Sequence, residues 1–161
     1  MLYADETYRI ALFGHRDFSG HRLLDDRLYP LLCELIRKKE YVEIYVGRNG
    51  EFDIYAASVI KRVLRAVGSE RAALICVLPY SVKDINYYKE YYDDILIPEQ
   101  AEAAHPKEAI TKRNLWLVER ADLLIFYVTS ESGGAYTALR QAKWLNKPII
   151  NLAKEDDASF I

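Results

Sequence analysis

Five short apolar runs alternate with stretches of helical periodicity along this chain. The runs fall at residues 8–13, 41–46, 72–78, 123–128 and 148–152, and each is continuously apolar rather than alternating. Continuous runs of that length, bounded by Gly, Pro or polar residues, predict strands buried on both faces. Between them, residues 52–67 place Phe52, Ala56, Val59, Ile60, Val63 and Leu64 on one helical stripe, and Gly68 stops it. Residues 21–39 carry leucines at helical spacing with Pro30 inside, which predicts a kink or a helix starting near the proline. Pro106 suits the first turn of a helix running to Arg120, and residues 132–146 predict another.

Strands alternating with helices imply a parallel sheet covered on both faces. The expected fold class is α/β, a Rossmann-like three-layer sandwich with a mainly parallel sheet of about five or more strands. A single domain spanning 1–161 is expected, with its core at about 8–152 and an acidic, loosely held tail from Lys154. Residues 80–105 are the least regular part, a long excursion of the kind that covers a site. Tyr87, Tyr88, Tyr91 and Tyr92 lie within it at spacings that make one helical face. That face packs on the domain or a partner subunit, or serves as a platform for a base.

Composition narrows the function classes. Apolar residues make up 51% and charged residues 29%, as in an ordinary globular protein. A net charge of -2 provides no strong nucleic-acid signal and no argument for a membrane surface. The first residues lack a signal-peptide pattern and no run approaches a membrane span, so a cytoplasmic location is the default expectation. Cys33 and Cys76 sit in apolar contexts and read as buried free thiols. With His15, His21 and His105 they form no metal-ligand spacing, so neither a metal nor another cofactor is expected.

Ligands in such folds collect beyond the carboxyl ends of the strands, and three glycine-bearing loops fall there. Gly14-His15-Arg16 follows the first strand, bringing a planar cation and an imidazole. Gly47-Arg48-Asn49-Gly50-Glu51-Phe52-Asp53 follows the second; Asp53 fits a helix cap or a ribose contact. Ser132-Gly133-Gly134 opens a helix whose N-terminal amides suit a phosphate or carboxylate. From the preceding helix, Arg113 and Asn114 face the ligand while Trp116 and Leu117 pack on the sheet. Neither the P-loop pattern, G-x-G-x-x-G nor a G-x-S-x-G elbow is present.

Taken in order, Gly14-His15-Arg16, Tyr45-Val46-Gly47-x-x-Gly50-x-Phe52-Asp53, Arg113-Asn114-x-Trp116, Asp122-x-x-Ile125-x-Tyr127-Val128 and Gly133-Gly134-Ala135 resemble the SLOG superfamily. This is the Rossmann-like group that includes the Lonely-Guy and DprA-type proteins; the pattern is most similar to YpsA-like bacterial and phage members. The resemblance implies a nucleotide or nucleotide-derived ligand held by Gly47, Asn49 and Gly50 and by Gly133 and Gly134. Lonely-Guy phosphoribohydrolases carry P-G-G-x-G-T-x-x-E at the last loop. Here Ser132 stands for the proline, Tyr136 for the third glycine, and Thr137-Ala138-Leu139-Arg140 holds no glutamate.

The expectation is therefore binding or sensing of a small nucleotide-like ligand. The candidate site is Gly14, His15, Arg16, Gly47, Asn49, Gly50, Asp53, Arg113, Asn114, Ser132, Gly133 and Gly134. The alternative is hydrolysis or transfer at an N-glycosidic bond of a nucleoside or nucleoside monophosphate, with Glu51 or Asp53 stabilising the sugar cation and His15 assisting the leaving base. The choice between enzyme and binding module stays open, and a homodimer is a mild preference.

Overall fold

In the computed structural model, which describes residues 6–154, six strands form one parallel sheet in the order β4-β3-β2-β1-β5-β6. The strands are β1 (Thr7–Gly14), β2 (Tyr41–Val46), β3 (Ala72–Val77), β4 (Asp94–Leu96), β5 (Leu123–Tyr127) and β6 (Ile149–Asn151). The α/β expectation holds, with every strand pairing parallel. The sixth strand, β4, lies within the irregular excursion, where three residues before Pro98 were too short a run to read as a strand. The expected acidic tail, residues 155–161, lies outside the described residues.

Pleating divides the sheet's side chains between two cores. Ile10, Leu12, Ile44, Val46, Leu74 and Cys76 face one side. There they pack under α1 (His21–Leu23), α2 (Tyr29–Lys38) and α3 (Glu51–Val67). Ala11, Phe13, Tyr45, Ile75, Val77 and Phe126 face the other. That side is covered by α6 (Pro106–Arg120) and α7 (Gly133–Trp144). The inner strands β1, β2, β3 and β5 therefore bury both faces, which is why their runs are largely apolar. Both cysteines are buried and free, and burial pushes the Cys76 thiol up to about 12.

The expected disturbance at Pro30 takes a specific form. Leu24–Leu28 is a π-helical turn between α1 and α2, and Pro30 stands in the first turn of α2. A proline lacks an N–H and clashes with the carbonyl four residues earlier; the wider turn relieves both. Residues 80–105 form α4 (Ile85–Tyr91), β4 and α5 (Glu99–Glu102). Tyr92 is buried, Tyr88 and Tyr91 pack partly against the α3-side core, and Tyr87 is exposed.

The strand order positions the site. The chain winds outward from β1 through β4, then returns so that β5 pairs with the other edge of β1. The switch point of the sheet therefore lies between β1 and β5, whose ends meet at the Gly14–Tyr127 register. In open parallel sheets the crevice beyond such a point is where ligands bind.

Candidate functional site

A cleft of about 520 Å³ opens at this switch point. It brings together Gly14, His15 and Arg16 from the β1 loop and Asn49, Gly50 and Asp53 from the β2 loop and α3. Arg113 and Asn114 enter from α6, and Ser132, Gly133 and Gly134 from the start of α7. Residues as far apart in sequence as Gly14 and Gly134 thus share one cleft, as the parallel topology allows. Gly47 and Glu51 do not line it.

The walls are tied to one another by backbone hydrogen bonds. Glu51 N–H donates to the Arg16 carbonyl at 2.9 Å, and Arg16 Nε donates to the Asn49 carbonyl at 2.9 Å. Gly50 is required by this approach: a Cβ there would lie 2.5 Å from Arg16 Cα, closer than real atoms come. On the other side, Thr129 N–H donates to His15 Nε2 at 2.9 Å and joins the β1 loop to the β5 loop. As the acceptor of this bond, Nε2 has its lone pair occupied. His15 acts here as a strut between two loops.

The remaining predicted residues divide by what they touch. Asp53 Oδ2 accepts from Asn49 N–H at 2.9 Å, bracing the loop ahead of the N-cap Gly50 rather than capping α3, and the residue also lines the cleft. Gly47 lies beneath the site: a Cβ would meet Arg113 Nη1 at 2.9 Å and Asp53 Oδ2 at 3.0 Å. Its missing side chain leaves room for that cation and carboxylate. Glu51 Oε2 accepts from Phe18 N–H at 3.3 Å, fastening the β1 loop. Gly14 makes space for Phe52, whose Cγ a Cβ would meet at 2.1 Å. Leu117 is buried as expected, whereas Trp116 is only partly buried, its ring 6.1 Å from that of Tyr45.

Arg113 is the site's central charge. It is only 3% exposed, yet it lines the cleft. Its Nη1 donates to the Val77 carbonyl at 2.6 Å and its Nε to Asn114 Oδ1 at 2.8 Å. Among the described residues no hydrogen bond takes up Nη2. Burial pushes the guanidinium down from its ordinary value, and the field of Asp53 opposes this. Burial likewise pushes the Asp53 carboxyl up, against the Asn49 hydrogen bond and the Arg113 charge. An arginine stays protonated regardless, so a buried cation with free donors faces the space between the loops.

Another wall is the N-terminus of α7, where a Cβ on Gly134 would lie 3.5 Å from Asn114 Nδ2. Gly133 adopts φ 90°, the left-handed region that favours glycine, and a Cβ on it would meet nothing within 4 Å. Ser132 makes no side-chain capping bond. The first amides of this 12-residue helix thus have no side-chain cap. Sequence reasoning missed Asn151, a buried polar residue in β6 whose Oδ1 accepts from Val128 N–H at 3.1 Å and whose Nδ2 donates to the Val128 carbonyl at 3.0 Å. This amide clamp holds the chain as it leaves β5 towards the cleft. A lone Asn inside an apolar strand was the available signal. Asp17, Ile110, Thr129 and Ser130 also line the cleft and were not singled out.

Fold and cleft define a class: a parallel Rossmann-like domain whose switch-point cleft is lined by two arginines and the start of a helix. No protein-family model and no curated protein matches the chain. Solved structures do. DNA processing protein A (DprA) from Streptococcus pneumoniae aligns with a TM-score of 0.64 at 14% identity, covering 88% of this chain and 49% of that one. DprA from Helicobacter pylori, described for its single-stranded DNA binding mode, aligns with a TM-score of 0.60 at 18% identity, covering 88% of this chain and 63% of that one. The chain thus spans about half to under two thirds of these neighbours, and the likeness is one of fold. DprA proteins belong to the SLOG group that the ordered motifs resemble.

These neighbours correct two expectations. The expectation of a small nucleotide-like ligand, whether sensed or cleaved at its N-glycosidic bond, is overturned by these neighbours, which are DNA processing proteins, one of them described for its single-stranded DNA binding mode. The absence of a nucleic-acid signal is corrected by the same finding. The physical reason is that net charge sums over the whole surface. It conceals a buried arginine, a second arginine and a helix N-terminus converging on one recess. Among the described residues no helix is long and apolar enough to cross a membrane, and no cluster of His, Cys, Asp or Glu suits a metal.

Proposed function

We propose that this cleft binds the sugar–phosphate backbone of single-stranded DNA. The observation that carries the reading is Arg113, a buried guanidinium whose Nη2 is unclaimed, in one cleft with the uncapped first amides of α7. A phosphate between them accepts charge-assisted hydrogen bonds from both walls. Arg16 sits at the rim, exposed and held through Nε by Asn49, with its terminal nitrogens available for a neighbouring phosphate. The fold likeness to proteins that process DNA supports the reading independently.

The site is a recess. Reading a duplex needs a helix or ribbon that enters a groove, whereas a flexible single strand can lay a phosphate into a pocket. The setting proposed with this reading is a single cytoplasmic domain of YpsA-like SLOG type, using the candidate residues that line the cleft. Fluorescence anisotropy with a labelled oligothymidylate and a hairpin duplex of the same length tests it. The single strand should bind more tightly, with affinity falling as salt rises. Equal binding of the duplex, or no binding of the single strand, overturns the reading.

A further inference from the structure

We infer that bases flanking the bound phosphate stack on an aromatic rim formed by the segment after β3, chiefly Tyr80 and Tyr87. This rests on the single-strand reading and extends the site beyond the cleft. Tyr80 is 44% exposed and Tyr87 61% exposed, so both rings are open to a stacking partner. Tyr80 stands three residues after Val77, whose carbonyl accepts from Arg113 Nη1, so its segment leaves β3 beside that cleft residue.

A second connection runs through Arg48, the neighbour of the cleft residue Asn49. Its guanidinium lies 4.7 Å over the Tyr88 ring, and Nη1 donates to Tyr92 Oη at 3.0 Å. Tyr87 and Tyr88 are 6.3 Å apart between ring centroids. Asn49, Arg48, Tyr88 and Tyr87 thus make a continuous path from the phosphate site to an exposed ring. Tyr88, Tyr91 and Tyr92 are held against the core or one another, which fixes the platform.

Charge separates this rim from the cleft. Along residues 80–92, Lys83 and Lys89 are balanced by Asp84 and Glu90. A surface with no net charge and exposed rings takes bases by stacking, which tolerates any sequence. The gain from extra nucleotides should then add little salt dependence, while the cleft supplies most of it.

The test compares the full chain on three labelled probes: a ~5-nucleotide oligothymidylate, a ~12-nucleotide one, and a ~12-mer with abasic flanks. Wild type should bind the long thymidylate roughly tenfold or more tightly than the short one, the scale of one stacked base. The abasic-flanked probe should bind like the short one. Tyr80→Ala with Tyr87→Ala should remove the gain and leave short-probe binding unchanged; Tyr87→Phe should keep it. Both tyrosines are exposed, so these variants fold. A gain that survives abasic flanks, or survives the double alanine variant, overturns the inference and leaves the cleft reading standing. Failure of wild type to bind any probe overturns both.

Discussion

Replacing Arg113 with Met separates what this residue does for the fold from what it does for binding. The side chain is almost wholly buried, and its Nη1 satisfies the carbonyl of Val77, itself buried. Stranding that carbonyl costs about 1–3 kcal/mol. The Asn114 oxygen faces the cleft and can be rehydrated. The half-buried Asp53 loses its opposing charge, a smaller version of the several kcal/mol incurred when a fully buried pair is broken. Together these suggest a loss of about 2–4 kcal/mol, or roughly 5–15 °C in Tm for a domain of this size. Asp53→Asn in the same background should restore part of it. For binding, one phosphate contact is removed, which should lower the magnitude of the salt slope by about 0.7 and weaken low-salt affinity roughly tenfold or more. Urea denaturation and anisotropy across a salt series read the two effects separately, below the variant's unfolding transition. A destabilised Arg113→Met that binds single-stranded DNA with unchanged affinity and slope would refute the role assigned to the guanidinium.

Three further outcomes follow from the same geometry. Gly50→Val places a side chain against Arg16 Cα, so the β1 and β2 loops must part. A loss of about 1–3 kcal/mol on thermal melting is expected, and a wild-type Tm would show that the loops do not touch this closely. Gly134→Val meets only Asn114 Nδ2 at 3.5 Å, an ordinary contact. It should melt near the wild type yet bind DNA several-fold more weakly, because the branched side chain crowds the α7 amides; undiminished affinity would place the phosphate elsewhere. Asp53 gives the pH dependence. Its carboxyl is already raised by burial, and an adjacent phosphate raises it further, so the complex holds the proton more tightly than the free protein. Affinity should therefore rise as pH falls, at values above the ordinary carboxylate range, and Asp53→Asn should flatten that rise. A pH profile identical in the variant would remove Asp53 from the site.

The strands were legible because a parallel sheet buries both faces, leaving runs such as Ala72-Ala-Leu-Ile-Cys-Val77 with no polar interruption. β4 was not, because three residues at a sheet edge need little hydrophobicity and take their conformation from pairing with β3. The three loops were legible from their glycines and their places after strands. What each glycine does was less so. Gly47 and Gly14 serve packing beneath the site, which depends on Arg113, Asp53 and Phe52 arriving from other elements. The burial of Arg113 follows from the crossing of α6 over the sheet, a tertiary fact no local pattern carries. The small-ligand expectation failed for a related reason: glycine loops and a helix N-terminus recognise phosphate, and phosphate alone does not say whether it belongs to a free nucleotide or to a strand.

A crystal structure of the chain with a bound oligothymidylate addresses that question most directly. The account predicts a backbone phosphate in the cleft, within hydrogen-bonding distance of Arg113 Nη2 and the first amides of α7. A strand seated on another surface, with the cleft free of phosphate, would contradict it.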